Sequence, residues 1–148
     1  MNKKQKNLTN KGFSLVELII VIAIMAVLVG VLAPQYLKYV NNSKVSTDTQ
    51  NAQEIATAIN VAISNQDITP SSTGDTTVAN GPTGTDTLTA VMTSAGTSVP
   101  ASKLGGYWTV VYNGTDGVKS VKLTTSDGTY DCYPNPDVTS TGISTLKK

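Results

Sequence analysis

The 148 residues contain no histidine and no arginine, and only one cysteine, Cys132. Without histidine the chain lacks the commonest general base and metal ligand. Without arginine it lacks the side chain best suited to bidentate binding of phosphates. A single cysteine excludes an intrachain disulfide and is typical of a small buried hydrophobic residue. These absences disfavour an enzyme, and we predict no metal site and no cofactor.

Charged side chains are also scarce, at 14% of the residues. Four of the eleven lysines precede the first apolar segment: Lys3, Lys4, Lys6 and Lys11. The remaining seven lysines face ten acidic residues, so the rest of the chain is mildly acidic. With no basic patch outside the N-terminus, we predict no nucleic-acid partner.

An apolar run from Leu18 to Ala33 follows the basic N-terminus, and one acid, Glu17, adjoins it. A membrane-spanning helix needs about 20 mostly apolar residues, so this segment is long enough to cross a bilayer. A charge within such a segment is costly and indicates a function. Three interpretations compete: a signal peptide cut after Ala33, a plain membrane anchor, or a helix that later leaves the membrane.

The position of Gly12 bears on this choice, because the small residue lies before the apolar segment rather than after it. An ordinary secretory signal has its small-residue cleavage site after that segment. A cut after Gly12 would give Phe13 a free α-amine four residues from Glu17. A buried carboxylate is tolerated when it is paired, and this amine, on the same chain or on a neighbouring one, is the nearest cation.

Taken together, these features resemble a type IV prepilin. The resemblance rests on the basic leader, Gly12-Phe13, Glu17, the apolar helix, and Pro34 followed by two tyrosines, and it covers residues 1 to about 66. It implies that a membrane prepilin peptidase cuts between Gly12 and Phe13 and N-methylates Phe13. It also implies that Glu17 neutralises the Phe13 amine of an adjacent subunit during assembly.

The function implied is that of a structural subunit of a type IV pilus, serving adhesion, motility or surface attachment. Its partners would be copies of itself in a helical filament, the peptidase, a pilus assembly platform and, before assembly, the membrane. The N-terminus would be cytoplasmic in a single-pass membrane form, and the assembled pilus would be extracellular. The alternatives are a pseudopilin of a competence or type II secretion machine and, less favoured, a membrane-anchored binding protein.

A helical pattern continues from Gln35 to about Gln66, with apolar residues at steps of three and four. Pro34 removes a backbone hydrogen bond and clashes with the carbonyl of Gly30, a weak helix former. Gly30 and Pro34 therefore predict a kink or a locally melted segment, with a mild bend as the alternative.

Beyond the helix, residues 67–103 are rich in Thr, Ser and Gly and are predicted to be mostly loop. Within them Asp86 is the expected N-cap of a short helix, although a strand is nearly as well supported. Three runs dense in β-branched and aromatic residues then predict a meander of three antiparallel strands. They begin at Tyr107, Val118 and Thr129.

The predicted fold class is therefore α+β, a type IV pilin fold in which a long N-terminal helix packs on a small antiparallel sheet of about three strands. The predicted divisions are a leader (1–12), a transmembrane and filament-core half of the helix (13–34), an amphipathic half (35–66), a variable loop region (67–103), and the sheet with a C-terminal tail (104–148).

Overall fold

A computed structural model of the chain describes residues 12–71, 73–81 and 86–136. The predicted leader, apart from Gly12, and residues 137–148 of the predicted tail lie outside this part. The chain divides into two compact units, with the boundary between Leu37 and Lys38. We call the second unit, from Lys38 onward, the headpiece.

Six elements follow one another along the described residues. They are α1 (Leu15–Ser64), β1 (Thr76–Ala79), α2 (Thr87–Ser94), β2 (Tyr107–Asn113), β3 (Gly117–Thr125) and β4 (Gly128–Tyr133). The four strands form one antiparallel sheet in the order β1-β2-β3-β4. The α+β prediction of a long helix with a small antiparallel sheet is confirmed.

The sheet has one strand more than the sequence predicted. Thr76–Ala79 falls in the predicted loop region, and its four residues include only one that is buried, Val78. So short a segment carries little strand signal of its own. It becomes a strand because it pairs with the free edge of β2, where Val78 lies opposite Val110. The short helix predicted after Asp86 does form, and the Asp86 carboxylate accepts a hydrogen bond from Thr89 N–H at 3.0 Å.

The core of the headpiece lies between one face of α1 and one face of the sheet. Alternate residues of β2 are buried, as expected of a strand with one face on the core. From α1, the buried side chains recur at steps of three and four residues and include Ala52, Ile55 and Ile59. Together with Trp108 and others these residues form one apolar cluster. This is the amphipathic pattern predicted for the second half of the helix.

Polar contacts fix α1 against the loops at both ends of this apolar face. Asn60 Oδ1 accepts a hydrogen bond from Val118 N–H at 2.9 Å, where β3 begins. Gly117, just before it, has a φ of 73°, and a Cβ there would collide with the Asn60 side chain. Glycine is therefore required at this position by both the backbone conformation and the close approach.

At the other end, Asp48 is the one buried charged side chain among the described residues. Its Oδ1 accepts from Lys103 N–H at 2.7 Å, and its Oδ2 accepts from Leu104 N–H at 2.9 Å and from Ser102 Oγ at 2.8 Å. A buried carboxylate needs such hydrogen bonds, since they replace those it made with water. Asp48 therefore anchors the segment before β2 to the helix.

We expect Asp48→Ala to destabilise the headpiece by about 2–5 kcal/mol, because two backbone N–H groups lose their acceptor and each unsatisfied group costs about 1–3 kcal/mol. Urea unfolding followed by the fluorescence of Trp108, the only tryptophan, measures the change. Glu54→Ala removes an exposed acid from the same helix and is the control, with an expected change within about 0.5 kcal/mol. Equal stability of the two variants would contradict the role given to Asp48.

The Cys132 side chain is buried in the apolar cluster, as the sequence predicted. Burial raises the pKa of its thiol to about 12, because the thiolate would lose its solvation. Only the thiolate reacts with electrophiles, so a buried thiol with a raised pKa is inert.

We therefore expect a maleimide reagent at pH 8 to leave Cys132 unmodified in the folded chain and to modify it fully in urea. Mass spectrometry of the intact protein distinguishes the two forms. Rapid labelling of the folded chain would show that β4 opens readily or that Cys132 is not in the core.

Candidate functional site

The predicted processing site lies at the start of α1. Gly12, Phe13 and Ser14 precede the helix, which begins at Leu15. Ser14 N–H donates to Glu17 Oε2 at 2.9 Å, and Leu18 N–H donates to the Ser14 carbonyl at 3.2 Å. Ser14 is therefore in the N-cap position, and Glu17 three residues later reaches back to it, as in one half of a capping box. A carboxylate at this end also interacts favourably with the helix dipole.

This cap was not among the features predicted from the sequence, although the Ser-x-x-Glu spacing before an apolar run is its known signature. The structure gives Glu17 a partner within its own chain, the backbone N–H of Ser14. While Gly12 is attached, the nitrogen of Phe13 is an amide and carries no charge. The ion pair between a Phe13 amine and Glu17 therefore remains a prediction about the cleaved chain.

Both residues at the predicted cleavage point are accessible. Phe13 is 91% exposed, and a Cβ placed on Gly12 would meet no described atom within 4 Å. The described part of the chain thus gives no internal reason for glycine at position 12. A requirement for glycine there would come from a molecule that binds the exposed junction.

The first half of α1 is apolar on all sides and exposed on all sides. Every residue from Leu15 to Ala33 is exposed, and Glu17 is the one charged side chain among them. Among the described residues α1 is the one helix long and apolar enough to cross a membrane. A helix that is apolar all round is stable only where something covers it. This segment therefore needs lipid or other protein around it.

Gly30 and Pro34, the predicted kink residues, both lie within α1, which stays helical through residues 30–35. The locally melted alternative is therefore absent from this conformation. The kink itself stays a prediction.

One polar cluster of the headpiece is exposed and centres on Lys119. Lys119 Nζ lies 2.9 Å from Asp75 Oδ1 and 3.8 Å from Asp116 Oδ2, and Asn113 Nδ2 bonds both carboxylates at 3.1 Å. Hydrogen bonds from Lys119 and then Asn113 lower the pKa of Asp75, and the bond to Asp75 raises the pKa of Lys119. Exposed pairs of this kind contribute little to stability. Within the described residues, no three of the carboxylates and the cysteine form a group suited to a metal ion.

Comparison with known proteins gives one family-model match and matches to curated relatives. The family model described as the prokaryotic N-terminal methylation motif matches residues 8–33. The chain is also similar to the type IV major fimbrial protein FimA of Dichelobacter nodosus, with 40% identity over 53 residues, which are 36% of this chain and 34% of that protein. A second FimA sequence from the same organism gives the same identity and coverage.

The chain thus matches about a third of the length of these curated relatives. No solved structure shows significant similarity to it. The matched motif, residues 8–33, contains the predicted Gly12-Phe13 junction and the apolar half of α1, so this match bears on these features and not on the headpiece.

Proposed function

We propose that this chain, which belongs to the type IV pilin family by its N-terminal methylation motif and its similarity to type IV major fimbrial proteins, is a structural subunit of a type IV pilus. The observation that carries the proposal is the exposed apolar half of α1, which begins directly after an accessible Gly12-Phe13 junction. One segment thereby serves two environments, first the lipid bilayer and then the core of a filament.

In the proposed sequence of events, the subunit first spans the membrane with its N-terminus in the cytoplasm, in keeping with the four lysines before Gly12. A prepilin peptidase then cuts after Gly12 and methylates the new amine of Phe13. The accessibility of this junction supports the step, since a protease needs an extended and reachable backbone. The assembly platform next moves the subunit into the filament.

Glu17 has two proposed roles in this sequence. In the uncleaved chain it accepts a hydrogen bond from Ser14 N–H and caps α1. After cleavage a positive charge appears on Phe13, one residue from that N–H. In the filament, where α1 helices of several copies exclude water, the carboxylate would pair with the amine of an adjacent subunit. Such a pair sets the register between subunits more than their affinity, because its desolvation offsets much of the attraction.

The affinity between subunits would come from apolar contact. Burial of apolar surface contributes about 25 cal/mol per Å², and the side chains from Leu15 to Leu32 are exposed over more than half of their area in nearly every case. Parallel packing of these helices is thus the main proposed source of filament stability. A pseudopilin of a secretion or competence machine would use the same chemistry, and electron microscopy for long surface fibres separates the two functions.

Processing is tested at Gly12. We expect Gly12→Ala to be cleaved in part, because alanine is small, and Gly12→Leu to remain uncleaved. Mass spectrometry of the wild-type protein should give a chain that starts at Phe13 and carries one added methyl group. A surface protein that retains Met1 would instead support a membrane-anchored binding protein.

Assembly is tested at Glu17 with two substitutions. Glu17→Ala removes both the charge and the cap, whereas Glu17→Gln keeps an oxygen that accepts the Ser14 N–H and removes the charge alone. We expect both variants to insert into the membrane normally and both to lose most or all fibres, as counted by electron microscopy. Normal fibres from Glu17→Gln would show that the cap matters and the charge does not, and normal fibres from Glu17→Ala would overturn both roles.

A further inference from the structure

The five described lysines of the headpiece fall into two groups. Lys119 is paired with Asp75, and Lys122 Nζ lies 3.3 Å from Asp131 Oδ1. The other three form no ion pair with any residue that the structure describes: Lys38, Lys44 and Lys103. We call these three the lysine collar.

The lysine collar lies at one end of the headpiece. Lys38 is its first residue, and Lys44 follows six residues later, about 9 Å farther along α1. Lys103 is distant in sequence, but Asp48 accepts its backbone N–H at 2.7 Å and so holds it beside the next turn of the helix. Lys44 and Lys103 line the same cavity of about 180 Å³.

Little negative charge opposes the collar at this end. Asp127 lines the same cavity but lies beyond ion-pair distance of the described lysines. The charge of Asp48 is buried and occupied by its hydrogen bonds. The acids in the remainder of the described headpiece outnumber the two paired lysines there: Glu54, Asp67, Asp75, Asp86, Asp116 and Asp131. Among the described residues of the headpiece, the lysines without an ion pair are therefore concentrated at the end that begins with Lys38.

Two further features indicate what the collar meets. Lys38 follows Ala33, the last residue of the apolar run, by five residues. Tyr36 and Tyr39 flank it and are 69% and 73% exposed, and tyrosine is enriched where a membrane-spanning helix crosses the lipid–water interface. The side chains of Lys38 and Lys44 also point to different sides of α1, since each residue turns the helix by about 100°. A bilayer surface surrounds the helix and can contact both sides, whereas a single protein partner on one face would meet one of them.

We propose that the lysine collar binds the anionic headgroups of phospholipids at the outer surface of the membrane before the subunit enters a filament. The collar would hold the headpiece close to the bilayer, and assembly would have to break these contacts. This inference rests on the proposed function only in placing α1 across a membrane.

The test uses the full chain in nanodiscs made from equal amounts of anionic phosphatidylglycerol and zwitterionic phosphatidylcholine. Native mass spectrometry counts the lipids of each kind that remain bound. We expect wild-type protein to retain an excess of phosphatidylglycerol and the triple variant K38Q/K44Q/K103Q to lose most of it. Each lysine near an anionic surface raises the binding constant about five-fold. The excess of bound phosphatidylglycerol should therefore fall at least about five-fold in the triple variant.

The control variant is K119Q/K122Q, which removes the two paired lysines and should keep the wild-type excess. Trp108 fluorescence checks that both variants remain folded. Equal lipid excess in wild type and the triple variant, or an equal loss in the control, would overturn the proposal. So would loss of fibres by a triple variant that still retains phosphatidylglycerol, because the lysines would then act between subunits.

This outcome is separate from the proposed function. Wild-type protein that selects anionic lipid through the collar but never forms fibres would refute the pilus function and leave the lipid contact standing. Wild-type chains that form fibres normally but show no preference for anionic lipid would support the pilus function and refute the lipid contact.

Discussion

The exposed apolar surface of the first half of α1 is the constraint on which the rest of this protein depends. Its side chains are uncovered on every side within the described chain, and water does not tolerate so large an apolar surface. Under the proposed function, lipid covers this surface first and other copies of the chain cover it in the filament. The same proposal gives the predicted leader, the predicted junction at Gly12-Phe13 and Glu17 one shared purpose, which is to move this segment from lipid into the filament.

The headpiece solves a different problem, which is to attach a small sheet to a helix without a disulfide. Apolar packing of Ile55 and Ile59 holds the helix and the sheet together, but it is non-directional and does not select one position of the helix on the sheet. Direction comes from the polar residues at either end of that face. Asp48 accepts two backbone N–H groups from the segment before β2, and Asn60 accepts that of Val118 in β3. Because these bonds are buried or partly buried, losing one leaves an unsatisfied donor, so they specify one position of the helix against the sheet.

Glu17 has one interaction within its own chain and a second, proposed interaction with another subunit. Its hydrogen bond to Ser14 N–H explains why an acid is tolerated at the start of an apolar helix even in the uncleaved chain. Under the proposed function, the same carboxylate pairs with the Phe13 amine of an adjacent subunit once cleavage has created that amine. In the uncleaved chain the costly charge is therefore stabilised by a backbone donor at the start of the helix, which an acid deeper in the helix would lack.

The sequence by itself determined the long helix, its apolar and amphipathic halves and the three later strands, because each depends on local pattern and composition. The cleavage junction at Gly12-Phe13 comes from the same kind of local pattern and stays a prediction. Only the tertiary structure decided the rest. Thr76–Ala79 became a strand because the edge of β2 was free to pair with it, and Asp48 became the anchor because folding brought residues 102–104 to it. Lys103 likewise joined Lys44 through contacts between residues more than fifty positions apart, which no pattern along the chain encodes.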